Sequence, residues 1–113
     1  MDSLDQEVLD RLGRDMGGDA AVSRILTMYA AKLPGELETL RDRATQGDLP
    51  DLGENAHRMK SSTAMLGATR LAGLLAELEQ AAKAGDAAAA EGWLREIEAE
   101  APRVEAEIRA RIA

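Results

Sequence analysis

Three Gly-Asp steps, Gly18-Asp19, Gly47-Asp48 and Gly85-Asp86, constrain this chain more than any other feature. Each sets a residue tolerant of left-handed backbone ahead of a carboxylate able to cap a helix, so each reads as one helix ending and another beginning. A fourth stop falls at Gly67, where Thr69 stands in the place of the capping Asp. The segments between these stops are all of helix length.

Their apolar spacing agrees. The opening segment starts Ser3-Leu4-Asp5-Gln6, a capping box, and repeats Leu4, Val8 and Leu12 every four residues, which predicts a short covering helix over about 3–13. The second, about 20–45, lines up Val22, Ile25, Leu26, Tyr29, Leu33, Leu37 and Leu40. Pro34 is expected to kink it near Lys32 rather than end it, because the stripe continues beyond. The third, about 49–66, has Leu49, Leu52, Ala56, Met59, Thr63 and Leu66 in steps of three and four, with Pro50 in the first turn. The fourth, about 70–84, shows Leu71, Leu74, Leu75, Leu78 and Ala82; the last, about 87–111, shows Leu94, Ile97, Ala101, Val104 and Ile108, with Pro102 expected to bend it. Tyr29 and Trp93 read as core or core-edge residues.

With no Phe, one Tyr and one Trp, and abundant Ala, Leu, Glu and Arg, the composition is that of helices. The predicted fold is all-α: one domain over 1–113, with a bundle over about 20–111. Short connections between long amphipathic helices make it an antiparallel up-down-up-down four-helix bundle carrying the short N-terminal helix. The absence of cysteine excludes disulfides and thiolate metal sites. No apolar run reaches the ~20 residues of a membrane span, and the opening Met1-Asp2-Ser3-Leu4-Asp5 lacks the features of a signal peptide, so a cytoplasmic chain with no membrane partner is expected. Met1 followed by a capping helix favours a complete protein over an excised module. A net charge of −7, spread over every segment, leaves no basic stripe and argues against nucleic acid.

His57 is the only histidine. At 100° per residue it points roughly 130° away from the middle of its helix's apolar seam, toward solvent. Gly53, Lys60, Ser61, Ala64 and Ala68 fall within roughly 60° of it, and all but Lys60 are small. An imidazole standing clear of its neighbours suits attack on a phosphoryl group held by another protein, which must approach closely and in line. Lys60, one turn on, can set an ammonium beside the phosphoryl oxygens, and Ser61 can offer a hydroxyl. Lys is the rarer cation, three of fourteen basic residues, which gives its presence here some weight. Gly53 costs roughly 1 kcal/mol against Ala inside a helix, and clearing space before His57 accounts for it. Ser62 points away from this face and reads as an ordinary helix-tolerated polar residue.

The run Ala56-His57-Arg58-Met59-Lys60-Ser61-Ser62-Thr63-Ala64-Met65-Leu66-Gly67-Ala68 resembles the signature of histidine-containing phosphotransfer domains, Ala-His-x-Leu-Lys-Gly-Ser followed after a short gap by Gly-Ala. Ala56, His57, the apolar Met59, Lys60, Ser62, Gly67 and Ala68 match, and the resemblance extends from about Ala20 to the C-terminus through the Leu-rich fourth segment and the Gly-Asp punctuation. Ser61 stands where the family usually has glycine. The resemblance implies that His57 is the phosphoacceptor, that Lys60 stabilises the phosphoryl group, and that Gly67 permits tight passage into the next helix. It further implies relay between aspartates of response-regulator receiver domains, loading from a hybrid sensor histidine kinase, and a monomer. No cofactor would be held by this chain, Mg²⁺ coming from the receiver. Neither a Gly-rich phosphate loop nor room for a nucleotide domain supports autokinase activity. A neutral imidazole, abundant at the ordinary histidine pKa of about 6.5, would need no dedicated base. Gly53, Ala64, Met65 and Gly67 are the candidates for partner docking.

Two rival readings remain at this point. A metal-binding bundle would use the Glu54-x-x-His57 spacing, but needs a second such motif that only a homodimer could supply. A noncatalytic helical adaptor would keep the bundle and dock to signalling proteins without accepting phosphate, with Ser61 as its main support.

Overall fold

The computed structural model describes residues 3–112; Met1, Asp2 and Ala113, and with them the outer limits expected for the 1–113 domain, lie outside the described residues. Within that span all regular structure is helical: α1 (Gln6–Met16), α2 (Asp19–Gln46), α3 (Leu49–Met65), α4 (Thr69–Lys83) and α5 (Ala87–Ile112). Each of the four long helices packs on two others, α2 on α3, α3 on α4, α4 on α5 and α5 back on α2, while α1 packs on α2. The ring encloses one core in which Leu26, Leu33, Leu40, Leu52, Leu71, Leu75, Leu78, Leu94 and Ile97 are fully buried. Those residues are the three-and-four stripes of their segments, hidden from water along one side of each helix.

Two of the expected caps form. Asp48 accepts the Asp51 N–H at 3.2 Å, and Asp86 accepts the Ala89 N–H at 3.0 Å. The others differ. Asp19 is already inside α2, whose cap is Gly18, and Thr69 is inside α4, whose cap is Ala68. Neither start has a side-chain cap hydrogen bond. The N-terminal capping box is displaced as well: Asp5 caps α1 through the N–H groups of Glu7 and Val8. The Ser3 and Leu4 N–H groups instead donate to the Glu107 carboxylate of α5, at 2.5 and 2.9 Å. That clasp holds the chain extended over the end of the bundle, so Leu4 is buried before α1 begins and Leu9, not Val8, is the fully buried apolar residue within it. Neither proline ends its helix. Pro34 and Pro102 face solvent, and α2 and α5 run through them because buried residues on both sides, Leu33 and Leu40, Ala101 and Val104, hold the flanking turns.

Gly67 is buried under the N-terminal segment with φ +84°, and a Cβ there would lie 2.8 Å from the Asp5 carbonyl oxygen. Its own carbonyl accepts the Asp5 N–H at 2.8 Å. The tight passage out of α3 is thus made, but Gly67 is covered and offers no docking surface. Ala68, placed near His57 on the helical wheel, is buried too, because the helix has already ended at Met65.

Candidate functional site

α3 presents His57 outward, with 63% of its side chain exposed, at the rim where α3 meets α4. The expected exposure holds, but the imidazole does not stand alone. Its Nδ1 lies 3.0 Å from Oε2 of Glu79, a residue of α4 whose side chain is only 3% exposed. The Lys60 ammonium donates to Oε1 of the same carboxylate at 2.9 Å, and Lys83, one turn along α4, lies 2.8 Å from Oε2. Glu79 therefore gathers the histidine and two lysines onto one carboxylate.

Packing explains how a glutamate comes to lie beneath the histidine. Gly53 is buried between α3 and α4, and a Cβ there would meet the Ala82 Cβ at 3.3 Å. Its missing side chain lets α4 come close, which corrects the expectation that Gly53 clears space for a partner. One turn further along α3, the same close approach sets Glu79 next to His57. Hydrogen bonds from Lys83, then Lys60, then His57 outweigh the cost of burying the carboxylate and hold its pKa down at about 2. An ionised carboxylate only accepts hydrogen bonds, which assigns the ring proton to Nδ1 and leaves the lone pair of the neutral imidazole on Nε2. In that tautomer Nε2 is the ring nitrogen free to act as a nucleophile.

On the opposite side of α3, Thr63 Oγ1 and Tyr29 Oη share a buried hydrogen bond of 2.8 Å, tying α3 to α2. Burial pushes the Tyr29 phenol up to about 12, so it stays protonated. Beside His57, an open hollow of about 530 Å³ has Leu49, Gly53, Glu54, Glu79 and Lys83 in its wall. Toward α2, Arg43, Asp51, Asn55 and Arg58 are linked by side-chain hydrogen bonds into a polar edge.

Of the residues singled out in the sequence, His57 and Lys60 are brought together here, and Ser61 and Ala64 lie exposed further along α3. Met65, 50% exposed, borders a hollow that also contains the exposed Met28 of α2. Ser62 bonds within its own helix, to the Met59 carbonyl. Glu79 and Lys83 were not found from the sequence. Their signal was an i,i+4 Glu-to-Lys pair beside Leu78 in the fourth apolar segment, a pattern that usually means only a solvated helix face. The described residues bring together no group of three or more His, Cys, Asp or Glu side chains placed to hold a metal ion. Glu54 has no part in a ligand set of that kind.

Comparison with known proteins points in one direction. Residues 24–107 match the family model described as Hpt domain. The phosphorelay protein LuxU of Vibrio vulnificus, in strains YJ016 and CMCP6, is 32% identical over 87 residues, spanning 77% of this chain and 75% of the relative. Among solved structures, the crystal structure of histidine-containing phosphotransfer protein B (HptB) from Pseudomonas aeruginosa PAO1 matches with a TM-score of 0.90 at 26% identity. It covers 97% of this chain and 94% of that one.

Proposed function

The chain belongs to the Hpt domain family and is a histidine phosphotransfer protein of phosphorelays, and on that premise we propose that His57 is its phosphoryl carrier and Nε2 the atom that accepts the group. The observation that carries this reading is the hydrogen bond from Nδ1 of an exposed imidazole to a buried, ionised Glu79, which frees Nε2 toward an incoming protein.

In the forward step Nε2 attacks the phosphorus of an aspartyl phosphate on a receiver domain. The Nε2–P bond forms, the P–O bond to the aspartate breaks, and the receiver's carboxylate departs with the electron pair. Nδ1 keeps its proton, so the phosphorylated ring carries a formal positive charge directly against Glu79. Attack by the aspartate of a second receiver reverses these bonds and returns a neutral imidazole. Glu79 is a positioning residue: it fixes the tautomer and the ring's orientation before the partner arrives, which lowers the cost of reaching an in-line geometry. Lys60 supplies an ammonium and Ser61 a hydroxyl to the phosphoryl oxygens. Ala64 and Met65, exposed beyond His57 on α3, serve as docking residues for the receiver.

The Mg²⁺ of the transfer belongs to the receiver in this reading. The group originates on a hybrid sensor histidine kinase, this chain having no autokinase activity, and the carrier works as a cytoplasmic monomer. Among the described residues no helix is long and apolar enough to cross a membrane. We infer an antiparallel up-down-up-down bundle from pairs of cross-helix contacts, Tyr29 with Thr63 and Arg43 with Asp51 between α2 and α3, and Gly53 with Ala82 and His57 with Glu79 between α3 and α4, together with the short connection that leads from α4 into α5.

Intact-mass spectrometry after mixing the protein with a phosphorylated receiver tests the reading. One acid-labile phosphoryl group is expected on the wild type and none on His57→Gln. A folded protein that gains no phosphate from a panel of phosphorylated receivers would leave the adaptor function instead.

A further inference from the structure

The reading of His57 as the carrier leaves Lys83 without a task, yet the geometry gives it one. Glu79 has a single negative charge and two lysine partners, so before transfer the cluster of Glu79, Lys60, Lys83 and neutral His57 carries a net charge of +1. This surplus sits on a chain whose net charge is −7. A phosphoryl dianion on Nε2, with the proton kept on Nδ1, brings the cluster to zero. The two lysines are not equivalent in this exchange. Lys60 is mostly covered, at 34% exposure, and has Oε1 of Glu79 to itself. Lys83 is 63% exposed and shares Oε2 with the imidazole, so Glu79 keeps a partner on each oxygen when Lys83 leaves. Lys83 also lines the hollow beside His57, together with His57 and Glu79.

We propose that Lys83 is a second phosphoryl-holding residue, which leaves Glu79 when Nε2 becomes phosphorylated and places its ammonium on the phosphoryl oxygens from the α4 side, opposite Lys60. The exchange requires no backbone movement, because a lysine at the exposed end of a helix has a long flexible stem. It keeps the ring proton on Nδ1 and hydrogen-bonded to Glu79, since the release of Lys83 leaves Oε2 to Nδ1 alone. A phosphoryl group held by lysines on two helices is both easier to accept and slower to lose to water than one held from a single side.

The inference rests on phosphorylation at His57, and its test separates the two. The wild type, His57→Gln, Lys83→Gln and Lys83→Arg are phosphorylated with a small phosphoramidate, a donor that needs no docking surface. Loading rate and the lifetime of the phosphorylated form are followed by intact mass. Lys83→Gln is expected to load more slowly and to lose phosphate faster, each by roughly threefold to tenfold, with Lys83→Arg restoring most of both. Its melting temperature should fall by only a few degrees, because Glu79 keeps Lys60 and the imidazole as partners when Lys83 is replaced. A wild type that loads His57 while Lys83→Gln matches it in rate and lifetime would overturn the role of Lys83 and leave that of His57 intact. So would a defect in Lys83→Gln that arginine fails to repair. A wild type that does not load, or His57→Gln that does, would remove the carrier reading itself and this inference with it.

Discussion

Gly53 faces Ala82 across the α3/α4 seam so closely that a Cβ on residue 53 would come within 3.3 Å of the Ala82 Cβ. That contact is tight but meets a methyl group, not backbone, so the first prediction depends on size. Gly53→Ala gains about 1 kcal/mol of helix propensity and loses a comparable amount to crowding, and urea denaturation should find it within about 1 kcal/mol of the wild type. Gly53→Leu has no such room and should lose about 1–3 kcal/mol. A leucine variant as stable as the parent would mean that the seam is not closed by this glycine.

Removing the charge of Glu79 while keeping its shape should act on the ring rather than the fold. In the wild type, ¹⁵N spectra of His57 at neutral pH are expected to show the proton of the neutral imidazole on Nδ1. In Glu79→Gln the tautomers should mix, and loading by a phosphoramidate should slow by about tenfold. If the ¹⁵N pattern is the same in both proteins, Glu79 does not set the tautomer.

Acid should weaken the protein partly through the same carboxylate. Glu79 has its pKa lowered from 4.5 to about 2 by Lys83, Lys60 and His57. Its contribution is therefore complete above about pH 4.5 and is lost as pH falls from there through 2. Allowing for screening at the exposed lysines, the loss is on the order of 2 kcal/mol. Chemical denaturation at pH 6, 4 and 2.5 should show a shallower decline for Glu79→Gln than for the wild type, and equal slopes would rule the contribution out.

Gly67 sits at φ +84° with the Asp5 carbonyl oxygen 2.8 Å from where its Cβ would be. Gly67→Ala combines left-handed backbone strain of about 1–2 kcal/mol with a clash that only moving the N-terminal segment relieves. A loss of about 2–4 kcal/mol in thermal or urea unfolding is expected, and a near-neutral result would show that residues 3–5 can lift away at little cost.

The helices were legible because each segment repeats its apolar residues at three and four and ends at glycine, and packing follows that pattern closely. Cap identity was less so. Asp19 and Thr69 are capping residues by type, but local backbone geometry started each helix one residue earlier, and sequence spacing of a single residue cannot decide that. Leu9 was passed over in favour of Val8 because the Glu107 clasp, a contact from the far end of the chain, sets where α1 begins. His57 and Lys60 were visible as one face of one helix. Glu79 and Lys83 were not, since their importance comes from a helix that follows a turn, and helical wheels carry no information across a turn. Gly53 shows the same limit: its wheel position lies close to that of His57, yet it faces α4.

The Glu107 carboxylate holds the Ser3 and Leu4 N–H groups, and Arg111 reaches from the same helix to Gln6 and Asp10 of α1. Traction on the chain at Ser3 is therefore borne first by α5, more than a hundred residues away in sequence, before it reaches α1. A pull at that end meets hydrogen bonds that span almost the whole sequence before it can peel away the shortest helix.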